Sequence, residues 1–166
     1  MRTLSLIFLI LIVTSCATTS DDSRNEILAK KLIENSHSSY KDANFEVTSF
    51  NNIALITGQV SSADMIPIAT KEAEKLRNVR KVYNELRVAG PTSVIARTND
   101  TWLTTKVRSA LAAEESTDTS RIKLVTENGV VFMMGLLSRA EAAAAVDIAR
   151  KTKGVQKIVK LFEYIN

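Results

Sequence analysis

Residues 45–58 read FEVTSFNNIALITG, and residues 122–135 read IKLVTENGVVFMMG. The two stretches align without a gap at an offset of 77 residues. Each consists of two short apolar runs separated by a turn pair, Asn51-Asn52 in the first and Asn128-Gly129 in the second. Asparagine and glycine tolerate positive φ, so each stretch predicts a tight β-hairpin.

The repeat continues on both sides of the hairpins. Helical patterns precede them at 25–35 and 100–114 and follow them at 65–76 and 141–152, and alternating strands end each copy at 82–88 and 157–165. Asn99, Asp100 and Thr101 offer N-cap side chains for the helix over 100–114. Each copy reads helix, strand, strand, helix, strand, which predicts an α+β fold with two helices packed on a three-stranded mixed sheet.

The composition excludes several classes of site. One cysteine and one histidine in 166 residues rule out a Cys/His metal cluster, and we expect no metal and no cofactor. No phosphate-binding glycine loop or nucleophile motif is present, so we expect no enzyme and no catalytic residues. A formal net charge of +4 is too mild to predict a nucleic-acid partner.

The first residues are typical of a bacterial lipoprotein leader. Arg2 precedes an apolar run from Leu4 to Val13, which is too short to span a bilayer comfortably. The sequence Val13-Thr14-Ser15-Cys16 then resembles a lipobox, in which the cysteine becomes the lipidated first residue. We therefore predict a signal peptide over 1–15, lipidation of Cys16, and a linker over 16–23.

A family resemblance rests on the glycine that ends each hairpin and on the segment before the last strand. Gly58 is followed by Asn78-Val79-Arg80-Lys81-Val82, and Gly135 by Gly154-Val155-Gln156-Lys157-Ile158. This pattern resembles the BON domain, although Asn78 replaces the commoner glycine. The predicted domains are 24–88 and 97–166, joined by a linker over 89–96 that contains Gly90-Pro91.

A lipobox followed by two BON domains resembles the DolP group of outer-membrane lipoproteins. The resemblance implies a lipid-anchored protein that faces the periplasm and binds anionic phospholipid through its second domain. It also implies a role in envelope integrity and localisation at the division site. The alternative is an adaptor for envelope-assembly proteins or for cell-wall amidase regulation, without direct lipid binding.

The charge distribution and the single tryptophan point to the second domain as the binding one. Residues 16–91 carry ten basic and ten acidic side chains, whereas residues 92–166 carry eleven and eight. On a helical wheel Trp102 lies about 100° from the core position Leu103, with Lys106 one turn further on. We predict that Trp102, Leu103, Lys106 and Arg108 contact phospholipid; the alternative is that Trp102 packs against the linker or the first domain.

Overall fold

The computed structural model describes residues 14–165, and side chains from residue 21 onward. The predicted signal peptide therefore lies almost wholly outside the described residues, as does the side chain of Cys16. The first unit comprises α1 (Thr14–Ser36), β1 (Asn44–Phe50), β2 (Ile53–Val60), α2 (Met65–Ala73) and β3 (Lys81–Val88). The second comprises α3 (Val94–Ala112), β4 (Ile122–Glu127), β5 (Val130–Leu137), α4 (Arg139–Lys151) and β6 (Lys157–Tyr164). Short 3₁₀ turns at Ser38–Lys41 and Thr119–Arg121 precede the two hairpins.

Both units have the predicted architecture. In each, the first two strands pair antiparallel and the third pairs parallel to the second, so that the sheet orders are β1-β2-β3 and β4-β5-β6. The turn residues Asn51, Asn52, Asn128 and Gly129 all have positive φ, as the hairpin prediction requires. The predicted α+β fold with mixed three-stranded sheets is confirmed.

A glycine within the second strand of each hairpin allows the first strand to approach closely. Gly58 pairs with Phe45 and has a φ of 125°, and an added Cβ there would overlap the carbonyl oxygen of Asn44. Gly135 pairs with Ile122, and an added Cβ would lie 2.7 Å from the carbonyl oxygen of Arg121. These two positions therefore need glycine for steric reasons.

Two helices cover the outer face of each sheet. In the first unit, Ala54 and Ile56 of β2 pack with Ala29 and Ile33 of α1. In the second, Val131 and Met133 of β5 pack with residues of α3 and α4. Each unit thus has its own helix-to-sheet core.

The inner faces of the two sheets pack against each other. This third core contains Ile53 and Leu55 from β2, Val130, Phe132 and Met134 from β5, and Leu161 from β6. Every residue of β2 is buried because this strand is covered on both faces. The described chain is a four-layer sandwich in which the helices of each unit form the outermost layers.

Both first helices begin earlier than the sequence predicted. Helix α1 runs back to Thr14, through the segment predicted as a linker, and α3 begins at Val94 inside the second predicted linker. Ser93 is the N-cap of α3, because its hydroxyl accepts a hydrogen bond from the amide of Ala96. The N-cap prediction for Asn99, Asp100 and Thr101 is therefore wrong, since these residues lie within the helix.

Candidate functional site

A buried carboxylate fixes the position of α3 on its sheet. Asp100 is 8% exposed, and its two oxygens accept hydrogen bonds from the backbone amides of Asn128 (2.7 Å) and Gly129 (2.9 Å) in the β4–β5 turn. Asp22 of α1 does the same for the amides of Asn51 and Asn52, at 2.8 Å each. Each first helix is thus joined to its hairpin turn by two charge-assisted hydrogen bonds.

Two residues beyond Asp100, the side chain of Trp102 projects into solvent. The residue is 61% exposed and belongs to none of the three hydrophobic cores. The ammonium group of Lys106 lies 4.2 Å from the centre of the indole ring, a cation–π contact. The same ammonium donates a hydrogen bond to the carbonyl oxygen of Lys153, at 2.7 Å. Trp102 and Lys106 are therefore held together on the outer surface.

Two further apolar side chains extend this surface. Val94 is 68% exposed and Ile95 is 75% exposed, both in the first turn of α3. Ile95 precedes Trp102 by seven residues, which places both on the same side of the helix. We call the exposed face formed by Val94, Ile95, Trp102, Lys106 and Lys153 the α3 surface.

Val94 and Ile95 were not predicted to belong to this surface, because they lie within the predicted linker over 89–96. The spacing of seven residues between Ile95 and Trp102 was the available signal. An apolar pair at this spacing is normally a core stripe, but here the core stripe is formed by Leu103, Val107 and Leu111.

The structure does not bring the other two predicted residues into this surface. Leu103 is 5% exposed and belongs to the core between helices and sheet, where Gly154 packs against it. Its inclusion among the lipid-contacting residues is corrected for that reason. Arg108 is exposed, but it lies about 120° around the helix from Trp102. Its side chain is therefore not adjacent to the Trp102 ring.

The described residues contain neither a cluster of three or more potential metal ligands nor a helix with the length and hydropathy of a membrane span. The chemistry of the α3 surface is that of an amphipathic contact. An aromatic ring with a polar N–H stands beside an ammonium group, on a helix whose opposite face is buried.

The chain is similar to known proteins over most of its length. A family model described as the BON domain matches residues 20–90 and 99–166. The outer membrane lipoprotein DolP of Haemophilus influenzae is 34% identical over 149 residues, which cover 90% of this chain and 77% of that protein.

Two other similar proteins are matched over a smaller share of their length. The 21 kDa hemolysin of Actinobacillus pleuropneumoniae is 34% identical over 75% of this chain. The osmotically-inducible protein Y of Escherichia coli is 27% identical over 74% of it. The chain spans 64% and 62% of these two proteins, respectively.

Proposed function

The chain belongs to the BON-domain family, and we propose that it is an outer-membrane lipoprotein that binds anionic phospholipid through the α3 surface of its second domain. The predicted family, including its likeness to the DolP group, is confirmed by the two matched domains and by the identity to DolP. Outer-membrane localisation is supported by the similarity to this outer membrane lipoprotein. Support of envelope integrity, at the division site, is the cellular role that we propose for this binding.

The exposed Trp102 beside Lys106 is the observation that carries the proposal. Trp102 is 61% exposed, and together with the exposed Val94 and Ile95 it gives α3 an apolar surface of the kind that marks interaction sites. At a bilayer interface the ring lies at the level of the headgroups, where its apolar part leaves water and its N–H remains hydrated. Each nearby lysine contributes about 1 kcal/mol at an anionic surface. Both groups therefore favour the same ligand, a negatively charged membrane.

The exposed Val94 and Ile95 also support a membrane contact by α3. Ile95 lies on the side of α3 that carries Trp102 and Val94 lies about 80° around the helix from it, so both would enter the interface beside the ring. Burial of apolar area contributes roughly 25 cal/mol per Å². A helix that lies flat in the interface with apolar side chains on one side and lysines beside them has the character of a peripheral membrane helix.

Vesicle co-sedimentation of a soluble form covering residues 21–166 tests the proposal. Trp102→Glu should weaken binding to phosphatidylglycerol-containing vesicles by about tenfold or more, because burying a large apolar side chain contributes about 1.5–3 kcal/mol. Ile27→Glu is the matched control, since Ile27 is 69% exposed on the corresponding helix of the first domain. This variant should bind as the wild type does.

Two further measurements distinguish membrane contact by Trp102 from packing of Trp102 within the protein. The melting temperature of Trp102→Glu should stay close to that of the wild type, since surface substitutions change stability by about 0.5 kcal/mol or less. The tryptophan fluorescence should shift to the blue on anionic vesicles and remain unchanged on phosphatidylcholine vesicles. A large fall in melting temperature, or equal binding by wild type and Trp102→Glu, would contradict the proposal.

We propose in addition that Cys16 carries the lipid anchor. The cysteine follows a short apolar leader at the position that a lipobox requires. Cells fed a labelled palmitate analogue should label the wild-type chain, and Cys16→Ser should abolish that label. Continued labelling of Cys16→Ser would show that the lipobox interpretation is wrong.

A further inference from the structure

A second surface lies on the opposite side of α4 from α3. A groove of about 310 Å³ runs between α4 and the edge strand β6. Buried Ala142 and Val146 form its floor. Its rim is formed by Arg139, Asp147 and Arg150 of α4 and by Lys160 and Tyr164 of β6. We call this the β6 groove.

The β6 groove carries a net positive charge. Three cations face one carboxylate, and that carboxylate, Asp147, is paired with Arg150 at 3.3 Å. The guanidinium of Arg139 lies 4.8 Å from the centre of the Tyr164 ring. Lys160 forms no ion pair with any residue between 21 and 165. An anionic group in the groove would therefore meet a lysine that lacks a counter-ion and an arginine held beside an aromatic ring.

The corresponding place in the first domain is closed. Asn84 holds the position in β3 that Lys160 holds in β6, because the strand registers pair Ile56 with Asn84 and Met133 with Lys160. The amide of Asn84 donates hydrogen bonds to the carbonyl oxygen of Ile66 (2.7 Å) and the hydroxyl of Thr70 (2.9 Å). These bonds tie β3 to α2. The cation at this position is therefore a property of the second domain and not of the fold.

The groove borders an unpaired strand edge. Within residues 14–165, β6 is the last strand of its sheet and pairs with β5 alone. Lys160 lies on the helix-facing side of β6, between Ile158 and Phe162, which both pack in the helix-to-sheet core. An extended chain added along this edge could form backbone hydrogen bonds with β6 and place alternate side chains in the groove.

We propose that the β6 groove binds an extended acidic segment of another protein, which adds alongside β6 and places a carboxylate between Lys160 and Arg139. Charge complementarity selects this occupant. A second copy of the chain would bring another basic β6 edge, with Lys157 and Lys160, against the first, and like charges in facing strands repel. The site is separate from the α3 surface and does not depend on lipid binding there.

Fluorescence anisotropy with the full chain in non-ionic detergent tests the proposal. The probe is a labelled peptide of alternating valine and glutamate, with the same length as β6, 8 residues. The matched peptide has glutamine in place of glutamate. We expect the glutamate peptide to bind about tenfold or more tightly than the glutamine peptide, since complementary charge discriminates between partners. Its binding should perturb the amide resonances of β6.

Two substitutions should abolish that binding by different means. Lys160→Glu reverses the free charge, and Ala143→Trp fills the groove from the exposed side of α4 without changing charge. Lys157→Glu is the matched control, because Lys157 is exposed on the same strand but points to its other face. Trp102→Glu should leave peptide binding unchanged while it weakens vesicle binding, which separates the two sites.

Several results would overturn the proposal. These are the absence of binding by the glutamate peptide, equal binding of both peptides, and equal effects of Lys160→Glu and Lys157→Glu. Displacement of the peptide by an equal concentration of glycerophosphoglycerol would also overturn it, since the groove would then be a phosphate site for a lipid headgroup.

Discussion

At the scale of single residues, the two carboxylates Asp22 and Asp100 have the clearest structural role. Each lies within a helix and accepts hydrogen bonds from both backbone amides of a hairpin turn. The bonds fix the rotation and the height of the helix over its sheet. For α3 this determines where Trp102, two residues later, projects. The outward orientation of the ring thus depends on a contact buried beneath the helix.

Asp100→Asn should destabilise the protein by about 2–3 kcal/mol, because hydrogen bonds to charged groups contribute about 1.5–3 kcal/mol. The amide has one acceptor oxygen, and its NH₂ group would face a turn N–H that is itself a donor. Denaturant unfolding measures the change, and Asp42→Asn, at an exposed position, is the control. If both substitutions had the same small effect, the carboxylate would not be what holds the turn.

The role of Asp100 could not be predicted from its local sequence. An aspartate before a helical pattern is ordinarily an N-cap, and the sequence analysis assigned it that way. Its actual partners, Asn128 and Gly129, are 28 and 29 residues away. Only the alignment of the two first helices, which pairs Asp22 with Asp100, could have suggested a shared role. That alignment needs an offset of 78 residues, one more than in the hairpins.

At the scale of elements, the hairpins and the glycines that end them were predictable because their signals are local. Two asparagines or Asn-Gly between apolar runs specify the turn, and the structure has positive φ at each of these residues. The start of α3 was not predictable, since Val94 and Ile95 are apolar but exposed. Exposed apolar residues in the first turn break the amphipathic pattern on which helix prediction depends.

The start of α4 contains a capping box that predicts a pH dependence. The carboxylate of Glu141 accepts a hydrogen bond from the amide of Ser138 (2.7 Å) and pairs with Arg121 (2.7 Å). The Ser138 hydrogen bonds, assisted by the charge of Arg121, lower the pKa of Glu141 in the folded chain. Because the folded pKa is the lower one, this stabilisation is complete above the ordinary glutamate pKa and is lost as pH falls through the folded value.

Glu141→Gln should therefore destabilise the chain at neutral pH and have little effect in acid. Glutamine can still accept the capping hydrogen bond, so the substitution isolates the contribution of the charge. Denaturant unfolding of both chains at several pH values gives the difference, with Glu114→Gln, at an exposed position, as the control. A difference that does not change with pH would mean that the ionised carboxylate does not contribute.

At the scale of the whole molecule, the two sheets pack inner face to inner face. The signal for this was present in β2 and β5, which are apolar at successive positions and not only at alternate ones. Strands of this type are covered on both faces. The sequence could not show what covers the second face of each strand. Cover by a second sheet and cover by a second layer of helices would each give the same apolar pattern. The packing leaves the helix layers outermost, so the α3 surface and the β6 groove are both open to partners.

The shared core between the sheets should make the two domains unfold together. Leu55 is fully buried and Phe132 is 2% exposed, and both belong to this core. Phe132→Ala should cost about 3–5 kcal/mol, and Leu55→Ala about 2–5 kcal/mol, through lost transfer energy and the cavity left behind. Each cavity lies against both sheets, so each substitution should lower the hydrogen-exchange protection of core amides in both domains. Leu136→Ala, at the exposed end of the same face of β5, should change protection little. If Phe132→Ala lowered protection in the second domain alone, the sheets would be folding as independent units, and the orientation of the α3 surface relative to the first domain would not be fixed by this core.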